Sequence, residues 1–393
     1  MDVFNTRYFR INKVFLTVTG LWPIPSSNKI ALYYCVIFGI LIILLPQFAY
    51  IFKYVRRLDD IFDLVPTIAG VCICLVKTIN LHLKYKKFRM CIEHVCHDWS
   101  LLADHDDIWI LTEYGEKSRL FTLAYIIFVS VGAISFLTAP FTIRIIDILL
   151  ASNVTRPKRL PSASEYFLDL EKYYYFLLAV TYVGYITTVV IIITVDTIYV
   201  ALLQHVCGIL ALLSHRLKRL ATSNQSDNVD RNPKWDKNIE NIIQCVQLQI
   251  RVERLIKLIE STFAICLLVD IGFGILFQCS SCVMIVTHTD TTYLMKNCPL
   301  LIVQSVRLFF NSWVGERIID HSSQMSFAAY NGLWYQMSLE AKKMLLFLIM
   351  KCQKPYHITM AKLYIISLEG YSMLMRTSVS YITLMLQVTS NDV

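Results

Sequence analysis

Apolar residues along this chain occur in seven long runs, separated by polar and charged segments. A hydrocarbon layer about 30 Å thick is crossed by roughly 20 helical residues, so each run is long enough to be a membrane-spanning helix. The pattern therefore predicts an all-α membrane protein with seven transmembrane helices. The predicted spans are residues 30–50, 62–83, 120–143, 173–203, 261–287, 299–320 and 364–388.

Two further apolar patterns are too short or too charged to cross a membrane. Residues 344–350 read MLLFLIM but have lysines on both sides. In residues 235–260, Ile and Val recur at helical spacing among Lys, Arg and Glu, which is typical of an amphipathic helix. We expect this helix to run into the fifth span and a second cytoplasmic helix to lie within 321–363. Together they would form either a platform that joins subunits or a cap on one bundle.

The distribution of basic residues predicts the orientation in the membrane. If the N-terminus is cytoplasmic, 25 of the 37 Lys and Arg residues lie in cytoplasmic segments and nine lie outside. Basic residues concentrate in cytoplasmic loops, so we predict a cytoplasmic N-terminus and an extracellular C-terminus. The glycosylation sequon at Asn153 then lies outside, whereas the sequon at Asn224 lies inside and should remain unmodified.

Composition agrees with a membrane protein and excludes several other classes. The 393 residues are 56% hydrophobic and 17% charged, with a mean hydropathy of +0.52. The net charge of +8 reflects the cytoplasmic loops, so we predict no nucleic-acid partner. The chain has no phosphate-binding Gly-rich loop, G-x-S-x-G or H-E-x-x-H motif, and we predict neither an enzyme nor a cofactor.

The residues with metal-binding or thiol chemistry follow no known motif. His94 and His97 could share one helix face in a segment rich in Cys and Asp, but their spacing matches no zinc site, and we predict no metal. Most of the 12 cysteines fall in spans or cytoplasmic segments, so we expect reduced, structural thiols.

Charged side chains inside a span must be paired or must face water. The spans contain six such residues, Lys77, Asp196, Asp270, Arg307, Glu369 and Arg376. In the last span the polar residues form a stripe, because they fall within an arc of about 80° at 100° per residue. The stripe consists of Glu369, Ser372, Arg376, Ser380, Thr383 and Gln387. It indicates either packing against other helices of the bundle or several copies converging on an aqueous path.

Four short motifs resemble those of insect odorant receptors. Residues 367–388, SLEGYSMLMRTSVSYITLMLQV, resemble the end of that family, which commonly reads S-L-E-x-F and then K-T-S-x-S-Y-F-T-L. AYNGLWY at 329–335, LFLIMKCQKP at 346–355 and GLWP at 20–23 resemble family segments in the same order. Arg376 replaces the usual Lys, Ile382 the usual Phe, and Cys352 a usual Ser.

The resemblance implies a ligand-gated, non-selective cation channel in the plasma membrane of olfactory sensory neuron dendrites. Family members form a tetramer in which an odorant-binding subunit joins a shared odorant receptor co-receptor. That co-receptor has an enlarged second cytoplasmic loop, whereas residues 204–260 are short here, so this chain resembles the odorant-binding subunit. The implied domains are a ligand-binding bundle at 1–320, anchor helices at 321–363 with a contribution from 235–260, and a pore helix with a short tail at 364–393.

The resemblance also implies site residues. The hydrophobic constriction of the pore would be Leu384 and Val388, with Gln387 beside it and Ser380 and Thr383 on the same helix. Small volatile apolar ligands would bind in the outer halves of spans two, three, four and six. When the family's pocket is placed at the same depth in the spans of this chain, the implied ligand residues are Ile68, Cys72, Ser130, Ala133, Leu137, Tyr182, Ile186, Val303 and Gln304. The other implied partners are membrane lipid and the permeating cations.

Three other classes remain as alternatives. The ending SYITLMLQV also resembles the related gustatory receptors. A G-protein-coupled receptor would have an extracellular N-terminus, an Asp/Glu-Arg-Tyr triplet and Asn-Pro-x-x-Tyr in span seven, and this chain has neither motif. A transporter would be expected to contain inverted repeats and broken helices, and neither is evident.

Overall fold

A computed structural model describes residues 3–24, 29–54, 58–102, 107–149, 160–220, 237–287, 291–332, 334–360 and 364–391. These residues are almost entirely helical. The helices are α1 (Arg10–Val18), α2 (Lys29–Tyr54), α3 (Leu58–Leu83), α4 (Tyr85–Leu102), α5 (Ile108–Leu149), α6 (Leu170–Arg219), α7 (Lys237–Thr287), α8 (Thr291–Tyr330), α9 (Leu339–Cys352) and α10 (Leu368–Asn391). Short 3-10 helices occupy Val3–Asn5 and Trp334–Gln336, and strands β1 (Thr359–Met360) and β2 (Tyr364–Ile365) pair antiparallel.

The predicted spans form helices α2, α3, α5, α6, α7, α8 and α10. Within the described residues, five helical segments are long and apolar enough to cross a membrane by length and composition alone. They are Lys29–Tyr54, Ile61–Leu83, Ile108–Ala139, Leu170–Arg219 and Asn238–Thr287. Helices α8 and α10 are less apolar than these five, and α10 carries the polar stripe along its length.

Several helices extend well beyond their apolar runs. The amphipathic helix predicted at 235–260 is confirmed, because α7 begins at Lys237 and continues through the fifth span. The short apolar run at 344–350 lies in α9, also as predicted. Helix α8 continues to Tyr330, so the expected boundary at 320 falls inside a helix.

The segment with His94 and His97, between the second and third spans, is a helix. Residues Tyr85–Leu102 form α4, whose apolar face contributes Phe88, Cys91 and Val95 to the main core. The periodicity of these apolar residues indicates the helix, although many polar residues separate them.

Helix α6 forms the centre of the bundle. Every residue from Ile193 to Leu210 is buried, and α6 contacts α2, α3, α5, α7 and α8. A helix that is apolar on all sides is stable only when other helices surround it. Its buried length therefore positions the remaining spans around one common core.

The connection between α9 and α10 corrects the predicted start of the last span. The span was expected from residue 364, but Tyr364 and Ile365 pair with β1, and α10 begins only at Leu368. The backbone N–H of Ile366 donates to the Ile358 carbonyl at 2.9 Å, and the N–H of Leu368 donates to Glu316 Oε2 at 2.9 Å. These bonds satisfy backbone donors that would otherwise be left unpaired just before and at the start of a helix.

Polar contacts connect α7 with α9 and the hairpin. Lys351 Nζ lies 3.0 Å from a Glu253 carboxylate oxygen, and Gln249 donates to Cys352 Sγ at 3.4 Å. Hydrogen bonds from Lys257 and Lys351 lower the pKa of Glu253. These contacts bring the two predicted helices outside the spans together in one unit.

Candidate functional site

The polar stripe of α10 faces away from the rest of its own chain. All six stripe residues are exposed, whereas Leu374 and Ser378 on the same helix are buried. At 100° per residue, the mean direction of Leu374 and Ser378 lies about 180° from the centre of the stripe. One interpretation of the stripe was that it packs against other helices of the same bundle. The stripe does not pack in this way against the described residues.

The chemistry of the exposed stripe suits contact with water and cations. Thr383 Oγ1 donates to the Val379 carbonyl at 2.7 Å, and Ser380 Oγ donates to the Arg376 carbonyl at 3.2 Å. Each hydroxyl hydrogen is used by the helix backbone, so oxygen lone pairs remain to accept hydrogen bonds or to coordinate a cation. Gln387 is exposed one turn further along the same face.

The two predicted constriction residues differ in what the structure describes. The side chain of Leu384 is 57% exposed and lies next to the stripe. The side chain of Val388 lies outside the described part of the structure, as does the whole of Asn153. Exposed apolar residues also flank the stripe at Met373 and Val379, although exposing such side chains to water is unfavourable.

The predicted ligand residues on α5, α6 and α8 are partly brought together. The Tyr182 hydroxyl donates to the Leu137 carbonyl at 2.7 Å, which joins α6 to α5. Val303 packs against a small core of Tyr125, Val129 and Ile193. A Cβ at Gly132 would overlap the Val303 side chain, so glycine allows α5 and α8 to approach here. Ser130 and Ala133 are half-buried on α5.

The other predicted ligand residues occupy different environments. Ile68 and Cys72 on α3 are half-buried against the main core, and Gln304 is buried. Ile186 is 53% exposed, which does not favour a role in an enclosed pocket. A small cavity lies elsewhere, near the N-terminal segment, and none of these residues lines it. Its lining includes Phe9, Trp99, Tyr114, Ser118 and His205.

A buried cluster of four charges lies in the middle of the bundle. Lys77 Nζ lies 2.5 Å from Asp196 Oδ1 and 3.1 Å from Asp270 Oδ2. Arg307 Nε lies 3.2 Å from Asp196 Oδ2, and its guanidinium also contacts Asp270. The Tyr125 hydroxyl donates to Asp196 at 2.5 Å. Two positive and two negative charges balance, so the ion-pair interpretation holds for these four residues.

The four charges are recognisable in the sequence, but the buried polar contacts of Tyr125 and Gln278 are not. Tyr125 and Gln278 are ordinary residues for their spans, and no motif distinguishes them. Gln278 donates to Ser305 Oγ at 2.9 Å and accepts from Ser378 Oγ at 3.4 Å, so it connects α7, α8 and α10. A lone amide in an apolar helix is the one signal that could have indicated such a link, because a buried polar group requires hydrogen-bond partners.

The cysteines and the His-rich segment form no described metal site. All 12 cysteines lie in the described residues and are free thiols. His94 and His97 lie on α4, and within the described residues no group of three or more His, Cys, Asp or Glu could hold a metal ion.

Comparison with known proteins identifies the family. The sequence model of the 7tm Odorant receptor family matches residues 57–379. Odorant receptor 67c of Drosophila melanogaster is 24% identical over 197 residues, which cover 50% of this chain and 46% of that protein. The odorant receptor coreceptor of Aedes aegypti is 31% identical over 88 residues, covering 22% of this chain and 18% of that protein. The chain thus aligns with less than half of either relative.

The fold matches a solved structure over almost the whole chain. The insect olfactory receptor OR5 from Machilis hrabei, in complex with eugenol, superposes with a TM-score of 0.79 and 12% identity. The match covers 96% of this chain and 97% of that receptor. At this identity the likeness establishes the seven-helix fold alone. With the family match over most of the sequence, this chain is a multi-pass membrane protein that belongs to the 7tm Odorant receptor family.

Proposed function

We propose that this chain is the odorant-binding subunit of an odorant-gated, non-selective cation channel. Copies of α10, from this chain and from the odorant receptor co-receptor, would line one central pore in a tetramer. The observation that supports this most is the exposed polar stripe of α10, which lies opposite the buried side of the helix at Leu374 and Ser378. A polar stripe exposed along a membrane helix is stable only if it faces water or other subunits.

The residues along α10 would give a weakly selective pore. Oxygen atoms of Ser380 and Thr383 and the neutral amide of Gln387 coordinate cations without binding them tightly. Leu384 and Val388 would form the hydrophobic constriction, because a ring of apolar side chains closes a pore by excluding water. The residues after Val388 would lie at the extracellular mouth.

The ligand would be a small, volatile, mostly apolar molecule. Ile68, Cys72, Ala133, Leu137 and Val303 supply apolar contacts. Ser130, Tyr182 and Gln304 supply a few polar groups, and Ile186 is a further ligand residue by resemblance. Burying apolar surface contributes about 25 cal/mol per Å², so a small odorant binds with modest affinity. The eugenol complex of the structurally similar Machilis hrabei receptor supports this ligand class.

The topology and domains follow the sequence prediction. The N-terminus would be cytoplasmic and the C-terminus extracellular, in the plasma membrane. Residues 1–320 would form the ligand-binding bundle, 321–363 and 235–260 the cytoplasmic anchor, and 364–393 the pore helix and tail. The contacts between α7 and α9 support one compact anchor.

Recording ligand-evoked current tests this proposal. The chain is expressed with and without the co-receptor, and a panel of short-chain esters, ketones, alcohols and eugenol is applied. We expect inward cation current for at least one odorant when the co-receptor is present. Normal surface expression without current for any compound in a broad panel contradicts the proposal.

A variant of the pore glutamine tests the role of α10. We expect Gln387→Ala to change the permeability of Ca²⁺ relative to Na⁺, because the side-chain amide of Gln387 would face the permeating ion. The concentration for half-maximal current should change less than about twofold, because the ligand residues are intact. Ile382→Val is the control, because Ile382 is half-buried and lies about 120° from the centre of the stripe, on the side away from Leu384. Equal permeability ratios in wild type and Gln387→Ala would exclude Gln387 from the pore.

A further inference from the structure

We propose that Gln278 is a positioning residue that transmits ligand binding from α8 to the pore helix α10. This inference rests on the proposed function and names a residue that couples its two sites. Gln278 is 3% exposed and lies near the C-terminal end of α7. Its side chain forms hydrogen bonds with residues of both α8 and α10.

Both ends of the Gln278 amide are engaged. Its Nε2 donates to Ser305 Oγ on α8 at 2.9 Å and lies 3.7 Å from Met375 Sδ on α10. Its Oε1 accepts from Ser378 Oγ on α10 at 3.4 Å. A primary amide presents a donor and an acceptor on one plane, so a single side chain links the two neighbouring helices.

The contact with α10 lies on the back of the proposed pore helix. Ser378 is buried opposite the polar stripe, and its carbonyl oxygen also lies 3.6 Å from Cys279 Sγ. The Ser378 hydroxyl has one hydrogen, which it shares between Gln278 and the Leu374 carbonyl at 3.0 Å. The longer bond to Gln278 is the weaker of the two, so it can break and re-form as α10 moves.

The contact with α8 lies beside a predicted ligand residue. Ser305 follows Gln304, and Gly274 precedes Gln278 by one helical turn on the same face of α7. A Cβ at Gly274 would lie 2.6 Å from Gln304 Nε2, so Gln304 packs directly on the α7 backbone. Among the described residues Gln304 Nε2 has no hydrogen-bond partner, which leaves it available to an acceptor on the ligand.

These contacts define a short path between ligand and pore. A ligand that displaces Gln304 shifts α8 against α7 at the turn where Gln278 binds Ser305. Gln278 then changes its distance to Ser378 and moves the back of α10. Without the amide, the same ligand would still bind but would bias the pore less.

The test is agonist-evoked current from the chain expressed with the co-receptor. The agonist is the panel odorant that gives the largest wild-type current. Gln278→Met keeps a side chain of similar length without the amide, and Ser378→Ala removes only the hydroxyl. Ser280→Ala is the matched control, because its buried hydroxyl bonds only the Leu276 and Phe277 carbonyls of its own helix.

We expect Gln278→Met to raise the concentration for half-maximal current roughly threefold to tenfold, the change expected from loss of the hydrogen bond that couples Gln278 to Ser378. Combining Gln278→Met with Ser378→Ala should add no further shift, because both variants remove this same hydrogen bond. The shift should be the same for two unrelated agonists, and the ratio of Ca²⁺ to Na⁺ permeability should not change. Ser280→Ala should match wild type.

Several outcomes would overturn this inference alone. The first is a wild-type channel that responds while Gln278→Met and Ser378→Ala leave the concentration for half-maximal current unchanged. The second is that the changes in this concentration add in the double variant. The third is a change whose size depends on the agonist. If Gln278→Met does not reach the cell surface, Ser378→Ala decides, because loss of one hydroxyl is mild. Absence of wild-type current for every odorant contradicts the proposed function itself.

Discussion

At the scale of single residues, Lys77 illustrates how buried charges depend on one another. Its ammonium contacts Asp196 and Asp270, which lie on two other helices and also contact Arg307. Removing one positive charge leaves two carboxylates with a single cation in a region closed to water. An uncompensated buried charge costs about 3–5 kcal/mol, which is a large part of the stability of a typical domain.

We predict that Lys77→Met strongly destabilises the fold. Surface expression should decrease several-fold, and the purified protein in detergent should unfold at a clearly lower temperature. Lys86→Met is the control, because Lys86 is exposed on α4 and should tolerate the same substitution. Equal unfolding temperatures for the two variants would show that the cluster does not stabilise the bundle.

His321 predicts a pH dependence of stability. It lies just after the predicted sixth span, and burial together with the Arg317 guanidinium lowers its pKa to about 4. Its Nε2 lies 3.1 Å from the Tyr114 hydroxyl and 3.4 Å from an Arg317 nitrogen. An unfolded histidine has a pKa of about 6.5, so the unfolded state binds more protons between these values. The contribution of His321 is complete above about pH 6.5 and is lost as pH falls towards about 4.

We predict that His321→Gln reduces the loss of stability on acidification. The glutamine retains a hydrogen-bond acceptor but does not titrate. The measurement is the unfolding temperature of the purified protein from about pH 7 to about pH 4. His97→Gln controls for an exposed histidine on α4. If His321→Gln and wild type lose stability equally over this range, His321 is not the titrating group.

At the scale of elements, the start of α10 depends on close packing against α8. Gly315 has no side chain, and a Cβ there would overlap the Ile366 carbonyl oxygen. Directly after it, Glu316 accepts the Leu368 N–H at 2.9 Å. The apolar run from 364 suggests a longer helix, but these tertiary contacts and the β1–β2 pairing place its start at Leu368.

We predict that Gly315→Ala weakens the attachment of α10. The extra methyl group has no space against backbone atoms, so overpacking should cost about 1–3 kcal/mol. Gly272→Ala is the matched control, because among the described residues no atom outside its own stretch of helix backbone lies within 4 Å of an added Cβ, and alanine favours a helix. The unfolding temperature of the purified protein should decrease only in Gly315→Ala. Similar values for both variants would contradict the close packing of Ile366 on α8.

At the scale of the whole molecule, the orientation in the membrane remains a prediction. A cytoplasmic N-terminus is favoured because it places 25 Lys and Arg residues in cytoplasmic segments and nine in extracellular segments. Orientation decides which sequon reaches the glycosylation machinery, and the two sequons lie on opposite sides of the predicted topology.

We predict that Asn153 is glycosylated and Asn224 is not. Asn153→Gln should abolish the mobility shift that a glycosidase produces on the wild-type protein, whereas Asn224→Gln should leave the shift unchanged. The two variants make the same substitution and control for each other. Loss of the shift only in Asn224→Gln would reverse the proposed orientation.

The class of protein, its seven helices and the polar stripe of the last helix could all be predicted from the amino-acid sequence. These features follow from local hydrophobicity and from the 100° rotation between residues, so they need no information about distant contacts. The short C-terminal motifs resembled the family that comparison then confirmed. The extent of α7 was also predictable, because its amphipathic and apolar segments are continuous.

Which helix faces meet depends on contacts between residues that are far apart in the sequence. Lys77 and Asp270 are 193 positions apart, and Gln278 and Ser378 are 100 apart, so no local pattern predicts either contact. Helical periodicity defined the polar stripe on α10 but could not indicate whether the stripe packs on the bundle or faces away from it. Burial of Leu374 and Ser378 decided this, because one side of a helix packed at a bundle surface is left exposed.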